Sequence, residues 1–249
     1  MKAMIFAAGL GTRLRPITDT IPKALLPLGG KTLLEYQICK LQQAGITDIV
    51  INVHHFADKI IDYLREHNNF GCNILISDER QQLLDTGGGL RKAANLLSGE
   101  ENVLACNVDI LSNISIASLI ESHKQEDIAT LVVSERDTQR YLLFDKQTNL
   151  MCGWTNIQTG EVKPNNQTVN YKTVNKLAFS GMQILSPRIF SLMDDIVKEK
   201  GDKFSLIDLY LTLCTTEHIS AYVPANYHMM DVGKINQLQE AKQFAATVF

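Results

Sequence analysis

Five short apolar runs constrain this chain more than any other feature. Residues Ala3–Ala7, Ile49–Val53, Asn73–Ile76, Val103–Cys106 and Ala129–Val133 have strand length, and the segments between them carry helical spacing, as at Leu34, Ile38 and Leu41. Strand and helix in turn predict βαβ units, which build a doubly wound, Rossmann-like, mostly parallel α/β sheet with helices on both faces. Ligands of such sheets bind beyond the carboxyl ends of the strands, near a reversal of strand order. The residues to inspect are therefore Ala8–Arg13, Asp78 and Glu79, and Asn107–Asp109.

The alternation changes between residues 138 and 185. Three β-like runs (Tyr141–Phe144, Leu150–Trp154, Leu177–Leu185) surround polar turns at Gln158-Thr-Gly-Glu and Pro164-Asn-Asn-Gln, which predicts a small inserted antiparallel layer over one side of the cleft. Helices over Pro187–Met193 and Ser205–Cys214 follow, then a strand through Tyr222 and a final helix after Gly233 with Leu238, Ala241 and Ala245 on one face. No repeat of roughly 20–50 residues and no hexapeptide period is visible, so no solenoid is expected. The 249 residues suit a single domain, 1–249.

Bulk properties narrow function by exclusion. A net charge of −3 gives no general attraction to nucleic acid or to an anionic membrane, so any polyanion must be met by a local site. Gly9 and Arg13 interrupt the N-terminal apolar stretch and no run of about 18 apolar residues occurs, so a cytoplasmic chain without signal peptide or membrane span is expected. The five cysteines (Cys39, Cys72, Cys106, Cys152, Cys214) are odd in number and lack a CxxC pair, which predicts free thiols. The sequons at Asn113 and Asn166 then count as chance matches. His54 and His55 are neighbours on a strand and face opposite ways, which favours structural roles over a metal pair.

At the mouth of the first strand lies AAGLGTRLRP, residues 7–16. A GxGxxG dinucleotide fingerprint fails because Leu14 stands at the third glycine position. A Walker loop ending at Gly30-Lys31-Thr32 fails at Leu25, and Thr32 reads instead as the cap of a helix. What survives is an anion-accepting turn: glycines admit close approach of backbone N–H groups, and Arg13 and Arg15 add forked cations. The loop alone leaves open an ordinary turn with two solvated arginines.

The pattern extends beyond the loop. Gly9, Gly11, Thr12, Arg13, Leu14 and Pro16, followed by Pro22, Lys23, Leu25, Leu26, Pro27, Gly30, Lys31, Leu34, Glu35 and Tyr36, strongly resemble the two-part signature of the sugar-1-phosphate nucleotidylyltransferases, GxGTRLxP and PKxLLPxxGKPLxEY. LLDTGGGL (83–90) resembles their nucleobase loop and CNVDIL (106–111) the strand end with the first metal aspartate. KLAFSGMQILSP (176–187) resembles the sugar-side strand, and MMDVGK (229–234) the segment with the second metal aspartate. The resemblance covers nearly the whole chain. It implies the nucleotide-diphospho-sugar transferase fold, GT-A-like and without a C-terminal β-helix, with residues 1–135 for the nucleotide and 136–249 for the sugar and C-terminal helices. It also implies small-molecule substrates, no nucleic acid or membrane partner, a monomer or homodimer, and the reaction NTP plus sugar 1-phosphate giving NDP-sugar plus pyrophosphate.

That reaction requires charge neutralisation and alignment, since the sugar phosphate oxygen is itself the nucleophile. The resemblance assigns Arg13, with the Gly9, Gly11 and Thr12 backbone, to the β- and γ-phosphates, and Lys23 to the gap between the α-phosphate and the sugar phosphate. Asp109 and Asp231 would bind Mg²⁺, a hard cation that takes one or two carboxylates plus phosphate oxygens. Ala8, Gly9, Thr86, Gly87 and Gly88 would select the base, with Glu79 accepting from a base N–H. On the sugar side stand Asn107, Gly181 and Asn175, with Arg140 and Trp154 as further candidates; Glu161-Val-Lys163-Pro164 only loosely echoes the family's Glu-Lys-Pro. The bland alternatives are a surface lysine at 23, a turn cap at Asp109 and a helix-preceding carboxylate at Asp231. Short length and the TGGG run point to UTP with N-acetylmuramate 1-phosphate; the alternative is GTP with mannose or heptose 1-phosphate. The rival from another class is a non-catalytic nucleotide-sugar-binding regulatory subunit.

Overall fold

The structure, a computed structural model, describes residues 1–164, 170 and 172–248; the turn expected through Asn165–Gln167 and the Asn166 sequon lie outside the described residues. In chain order the first half runs β1 (Lys2–Phe6), β2 (Pro27–Leu28), β3 (Lys31–Thr32), α1 (Leu33–Gln43), β4 (Asp48–Val53), α2 (Ala57–Glu66), β5 (Asn73–Asp78), α3 (Asp85–Lys92), α4 (Ala94–Leu97), β6 (Val103–Asn107), β7 (Ile110–Ser112), α5 (Ile116–Ser122) and β8 (Asp127–Ser134). The second half adds β9 (Arg140–Asp145), β10 (Met151–Asn156), β11 (Glu161–Lys163), β12 (Val174–Leu185), α6 (Met193–Lys200), α7 (Leu206–Leu213), β13 (His218–Tyr222), β14 (Met229–Asp231) and α8 (Leu238–Val248). All five expected apolar runs are strands.

The strands β5, β4, β1 and β6 are parallel, with β1 between β4 and β6. β1, β4 and β6 are buried on both faces, so their side chains alternate between two cores, while β5 is the edge strand and leaves Leu75 exposed. Ala3, Ile5 and Ala7 of the first run enter one core with Leu34, Ile38 and Leu41 of α1 and Ala241 and Ala245 of α8. Met4 and Phe6 enter the other, with Leu90 of α3 and Leu209 of α7. Helices thus cover both faces, as the strand–helix alternation requires. Thr32 caps α1 as expected, its Oγ1 accepting from Glu35 N at 3.1 Å.

β12 joins two regions. Its Met182–Leu185 half pairs antiparallel with β6, and its Val174–Leu177 half pairs with β9, to which β10 and then β11 are added. The inserted antiparallel layer is therefore an extension of the main sheet. β8 pairs antiparallel with β12, and β13 runs parallel to β8. The short β7 and β14 pair antiparallel, bringing Asp231 opposite Ile110. The cysteines are free thiols; burial pushes the Cys106 thiol up to about 12. Among the described residues no helix is long and apolar enough to cross a membrane.

Candidate active site

A cleft of about 500 Å³ opens at the carboxyl ends of β1, β4 and β6, where Phe6, Asn52 and Asn107 end their strands or nearly so. Ala8, Gly9, Gly11, Thr12, Arg13, Lys23, Thr86, Asn107 and Asp109 of the expected set line it. Sheet order divides it in two. The loop after β6 lies on one side of β1, and the residues after β4 and β5 lie on the other.

The β6 side is charged. Lys23, with only 9% of its side chain exposed, donates from Nζ to Asp109 Oδ2. Arg13 Nη2 stands 4.0 Å from Asp231 Oδ2. Val232 N donates to Asp109 O at 2.9 Å, which fixes the second aspartate beside the first. Burial, then the charge of Asp109, raises the Asp231 carboxyl above the ordinary range, while Lys23, Arg13 and Arg136 pull it back. Two adjacent carboxylates with hard oxygen donors fit a magnesium-like cation that fills its remaining positions with water and substrate phosphate. Among the described residues no cluster of three or more His, Cys, Asp or Glu is present, which does not fit the three- or four-ligand sets of zinc.

The loop that meets this charge is built by its glycines. Gly11 adopts φ +63°, and a Cβ there would lie 2.9 Å from Thr18 Cγ2 and 3.1 Å from Lys23 Cβ. Thr18 Oγ1 also donates to Gly11 O at 2.9 Å. A Cβ on Gly9 would meet nothing within 4 Å, so that face is open to a ligand. Leu14, which broke the dinucleotide fingerprint, is fully buried in the core. Arg15 is turned away and bridges to Asp19 at 3.2 Å.

On the β4 and β5 side one carboxylate ties the strand ends together. Asn52 Oδ1 accepts from Ala7 N at 2.7 Å and Ala8 N at 3.3 Å, and Asn52 Nδ2 donates to Glu79 Oε1 at 2.7 Å. Leu84 N donates to Glu79 Oε2 at 3.1 Å. Glu79 was expected to accept from a base, but it is 0% exposed and both oxygens are engaged, so it supports the wall from behind. Burial raises its pKa, against the pull of those hydrogen bonds.

The TGGG run also differs from expectation. It lies in α3, where Gly87 and Gly88 face the chain's own 202–204 segment and Gly89 faces Glu79 and Asn52. A Cβ on Gly87 would stand 2.4 Å from Phe204 Cδ2, and one on Gly88 would stand 2.1 Å from Asp202 O. Gly87 N and Gly88 N both donate to Phe204 O, at 2.9 and 3.1 Å, so neither N–H is available to a base. Thr86 does line the cleft, while its Oγ1 accepts from Leu206 N at 3.0 Å.

On the sugar side Gly181 (φ +70°) lets β12 pass over Asn107: a Cβ would lie 3.0 Å from Asn107 Nδ2. Asn175 is exposed on β12 opposite Phe144 and does not line the cleft. Nor, among the described residues, does any residue of the antiparallel layer, contrary to expectation; Trp154 there lies under Lys163 Nζ, 5.3 Å from the ring centroid. Four cleft residues escaped sequence reasoning: Asn52, Asp85, Lys203 and Gly233. Asn52 carried a signal, an asparagine inside the apolar run Ile49–Val53. Gly233 lay in the quoted MMDVGK, where a Cβ would crowd Arg13 Nη2 and Asp231 Oδ1, each at 2.8 Å. Asp85 lay in LLDTGGGL, the stretch matched to the nucleobase loop, and Lys203 carried no signal.

A parallel sheet whose central strand ends in a glycine turn, with Arg13, Lys23 and Asp109 lining one end of the cleft and Asp231 beside Arg13, suits an enzyme that handles phosphate esters. The chain belongs to the nucleotidyl transferase family, which it matches over residues 2–248. It is 33% identical over 245 residues to the N-acetylmuramate alpha-1-phosphate uridylyltransferase of Neisseria meningitidis serogroup B, covering 98% of each chain. It is 47% identical over 109 residues to the Caulobacter vibrioides protein of the same name, covering 43% of this chain and 45% of that one. HddC of Yersinia pseudotuberculosis, solved with GMP-PN, shares the fold at a TM-score of 0.76 and 22% identity, covering 98% of this chain and 99% of HddC. The chain is thus a sugar-1-phosphate nucleotidyltransferase.

Proposed function

We propose that this enzyme transfers the uridylyl group of UTP to N-acetylmuramate 1-phosphate, with Mg²⁺ held by Asp109 and Asp231. The observation that carries the chemistry is the grouping of Arg13, Lys23 and Asp109 at one end of the cleft, with Asp231 set beside Arg13 and Asp109. The substrate pair is supported by the full-length likeness to a uridylyltransferase of that specificity. Residues 1–135 would hold the nucleotide and 136–249 the sugar, with Lys203 reaching back from the second half into the cleft. The proposed setting is the cytoplasm, as a monomer or homodimer.

In this reading a sugar phosphate oxygen forms a bond to the α-phosphorus as the bond to the β-phosphate oxygen breaks on the far side, and pyrophosphate leaves with the electron pair. No side-chain nucleophile or base takes part. Lys23, held by Asp109, neutralises the two phosphates as they converge, and Arg13 holds the departing pyrophosphate. The magnesium ion would supply further positive charge to the phosphate oxygens when bound. Preorganised cations of this kind each account for roughly 3–4 kcal/mol of barrier in comparable sites.

The test is pyrophosphate release from UTP, GTP, CTP, dTTP and ATP against N-acetylmuramate, mannose, heptose and glucose 1-phosphates. The expected pair is UTP with N-acetylmuramate 1-phosphate. Turnover of GTP with mannose or heptose 1-phosphate instead would overturn the substrate assignment. Nucleotide binding without release from any pair would favour the regulatory-subunit reading.

A further inference from the structure

Two charged side chains at the β4–β5 end of the cleft have no charged partner. Asp85 and Lys203 both line it and both are exposed. Among the described residues neither makes an ion pair, with the other or with any third group. Their backbones are nevertheless fixed to each other. Gly87 N and Gly88 N donate to Phe204 O, Leu206 N donates to Thr86 Oγ1 at 3.0 Å, and Arg91 Nη1 reaches Asp202 Oδ1 at 3.3 Å. Lys203 thus sits between two anchored neighbours, Asp202 and Phe204. Asp85 takes the left-handed conformation, φ +63°, uncommon outside glycine. Its Oδ1 accepts from Thr86 N at 2.6 Å, which orients the carboxylate and leaves Oδ2 unengaged.

Sheet order says what this end would meet. With phosphates at Arg13 and Lys23 beside β6, a nucleotide crossing the end of β1 brings its base over the ends of β4 and β5, where Leu83, Asp85 and Thr86 lie. This placement rests on the nucleotidyl-transfer reading above.

We propose that Asp85 and Lys203 read the base: Asp85 accepts a hydrogen bond from the ring N–H, and Lys203 donates to the neighbouring carbonyl. A carboxylate only accepts and an ammonium only donates, so the pair has a fixed polarity. Uracil and guanine present an N–H beside a C=O on that edge. Cytosine and adenine present the reverse at the same two positions, an unprotonated ring nitrogen beside an amino group. A site that pairs charged groups with a base edge leaves both groups unsatisfied against the wrong base, and such sites discriminate by large factors. The pair therefore selects uridine or guanosine nucleotides against cytidine and adenosine ones, by a contact that the TGGG glycines do not make.

The experiment compares the wild type, Lys203→Met and Asp85→Asn. Equilibrium binding of UDP, GDP, CDP and ADP is measured by calorimetry, and kcat/KM by pyrophosphate release with UTP and CTP. Both residues are exposed, and unchanged thermal midpoints will show that the variants fold. Lys203→Met should weaken the preferred nucleotide about 10–100-fold, the size of one charge-assisted hydrogen bond, and change CDP by less than about threefold. Asp85→Asn, whose amide can both donate and accept, should narrow the UDP to CDP ratio at least about tenfold. Equal losses for every nucleotide, or a wild type that prefers CDP or ADP, would overturn the proposal. The binding arm separates it from the reading it rests on. Base preference that vanishes in Lys203→Met without any pyrophosphate release would keep the base-reading pair and remove the transfer reaction. Turnover with an unchanged UTP to CTP ratio would do the opposite.

Discussion

Two glycine-to-alanine changes should separate the part of the cleft wall that faces a ligand from the part that faces the protein. At Gly88 a methyl would stand 2.1 Å from Asp202 O and 3.0 Å from Leu84 Cβ. The first obstacle is backbone, so the 202–206 segment has to move. Movement breaks three hydrogen bonds, those of Gly87 N and Gly88 N to Phe204 O and of Leu206 N to Thr86 Oγ1. At about 1 kcal/mol each these come to about 3 kcal/mol. Overpacking adds about 1–3 kcal/mol. The better helix propensity of alanine returns about 1 kcal/mol. The net loss is about 3–5 kcal/mol, which in a domain of this size lowers the thermal midpoint by roughly 10 °C. Gly9→Ala is the control: its Cβ meets nothing within 4 Å and its φ is not left-handed. Its midpoint should stay within about 2 °C of the wild type, yet its affinity for UTP should fall, because the added methyl occupies the cleft. Thermal unfolding by circular dichroism without ligand, followed by calorimetric titration with UTP, reads both. A Gly88→Ala midpoint within about 2 °C of the wild type, or a Gly9→Ala protein destabilised to the same degree, would refute the reasoning.

Three further outcomes follow from the same geometry. Arg13→Ala should lower kcat/KM about 100-fold or more, whereas Arg15→Ala, which removes only an exposed bridge to Asp19, should change it less than about threefold; similar losses in steady-state assays would erase the distinction. Asp109→Asn should abolish divalent-metal-dependent turnover while the far-UV spectrum stays native, and retained turnover would strip Asp109 of its metal role. Burial raises Glu79, so the folded protein binds its proton more tightly than the unfolded chain does. Stability is therefore fully present below the unfolded value near 4.3 and is lost as pH rises through the folded value. Denaturant titrations between about pH 4 and 8 should show that slope flattened in Glu79→Gln; an unchanged slope would assign it to other groups.

The sequence made the sheet legible because its central strands are buried on both faces and read as near-continuous apolar runs. Arg13 stood out for a different reason, because it follows Gly11 by two residues in the glycine turn; Lys23, twelve residues beyond Gly11, was picked out by its place in the two-part family signature and not by local chain geometry. Glu79 was misjudged because its partners Asn52 and Leu84 come from other segments, and a carboxylate after a strand looks the same whether it faces a ligand or the core. Lys203 is placed by contacts such as Thr86 to Leu206, 120 residues apart, and nothing local announces them.

The two glycine clusters show where local reading stops. Gly9 and Gly87–Gly89 look alike as signals of close approach, and close approach is present in both. At Gly9 the space belongs to the cleft, while at Gly87 and Gly88 it is filled by Phe204 and Asp202. A missing Cβ therefore says that something comes near without saying what. Because the TGGG helix spends the Gly87 and Gly88 N–H groups on Phe204 O and the Thr86 N–H on Asp85 Oδ1, a base lying over it meets side chains at its margin. Asp85 and Lys203 are the charged groups that stand there, held in place by that same docking.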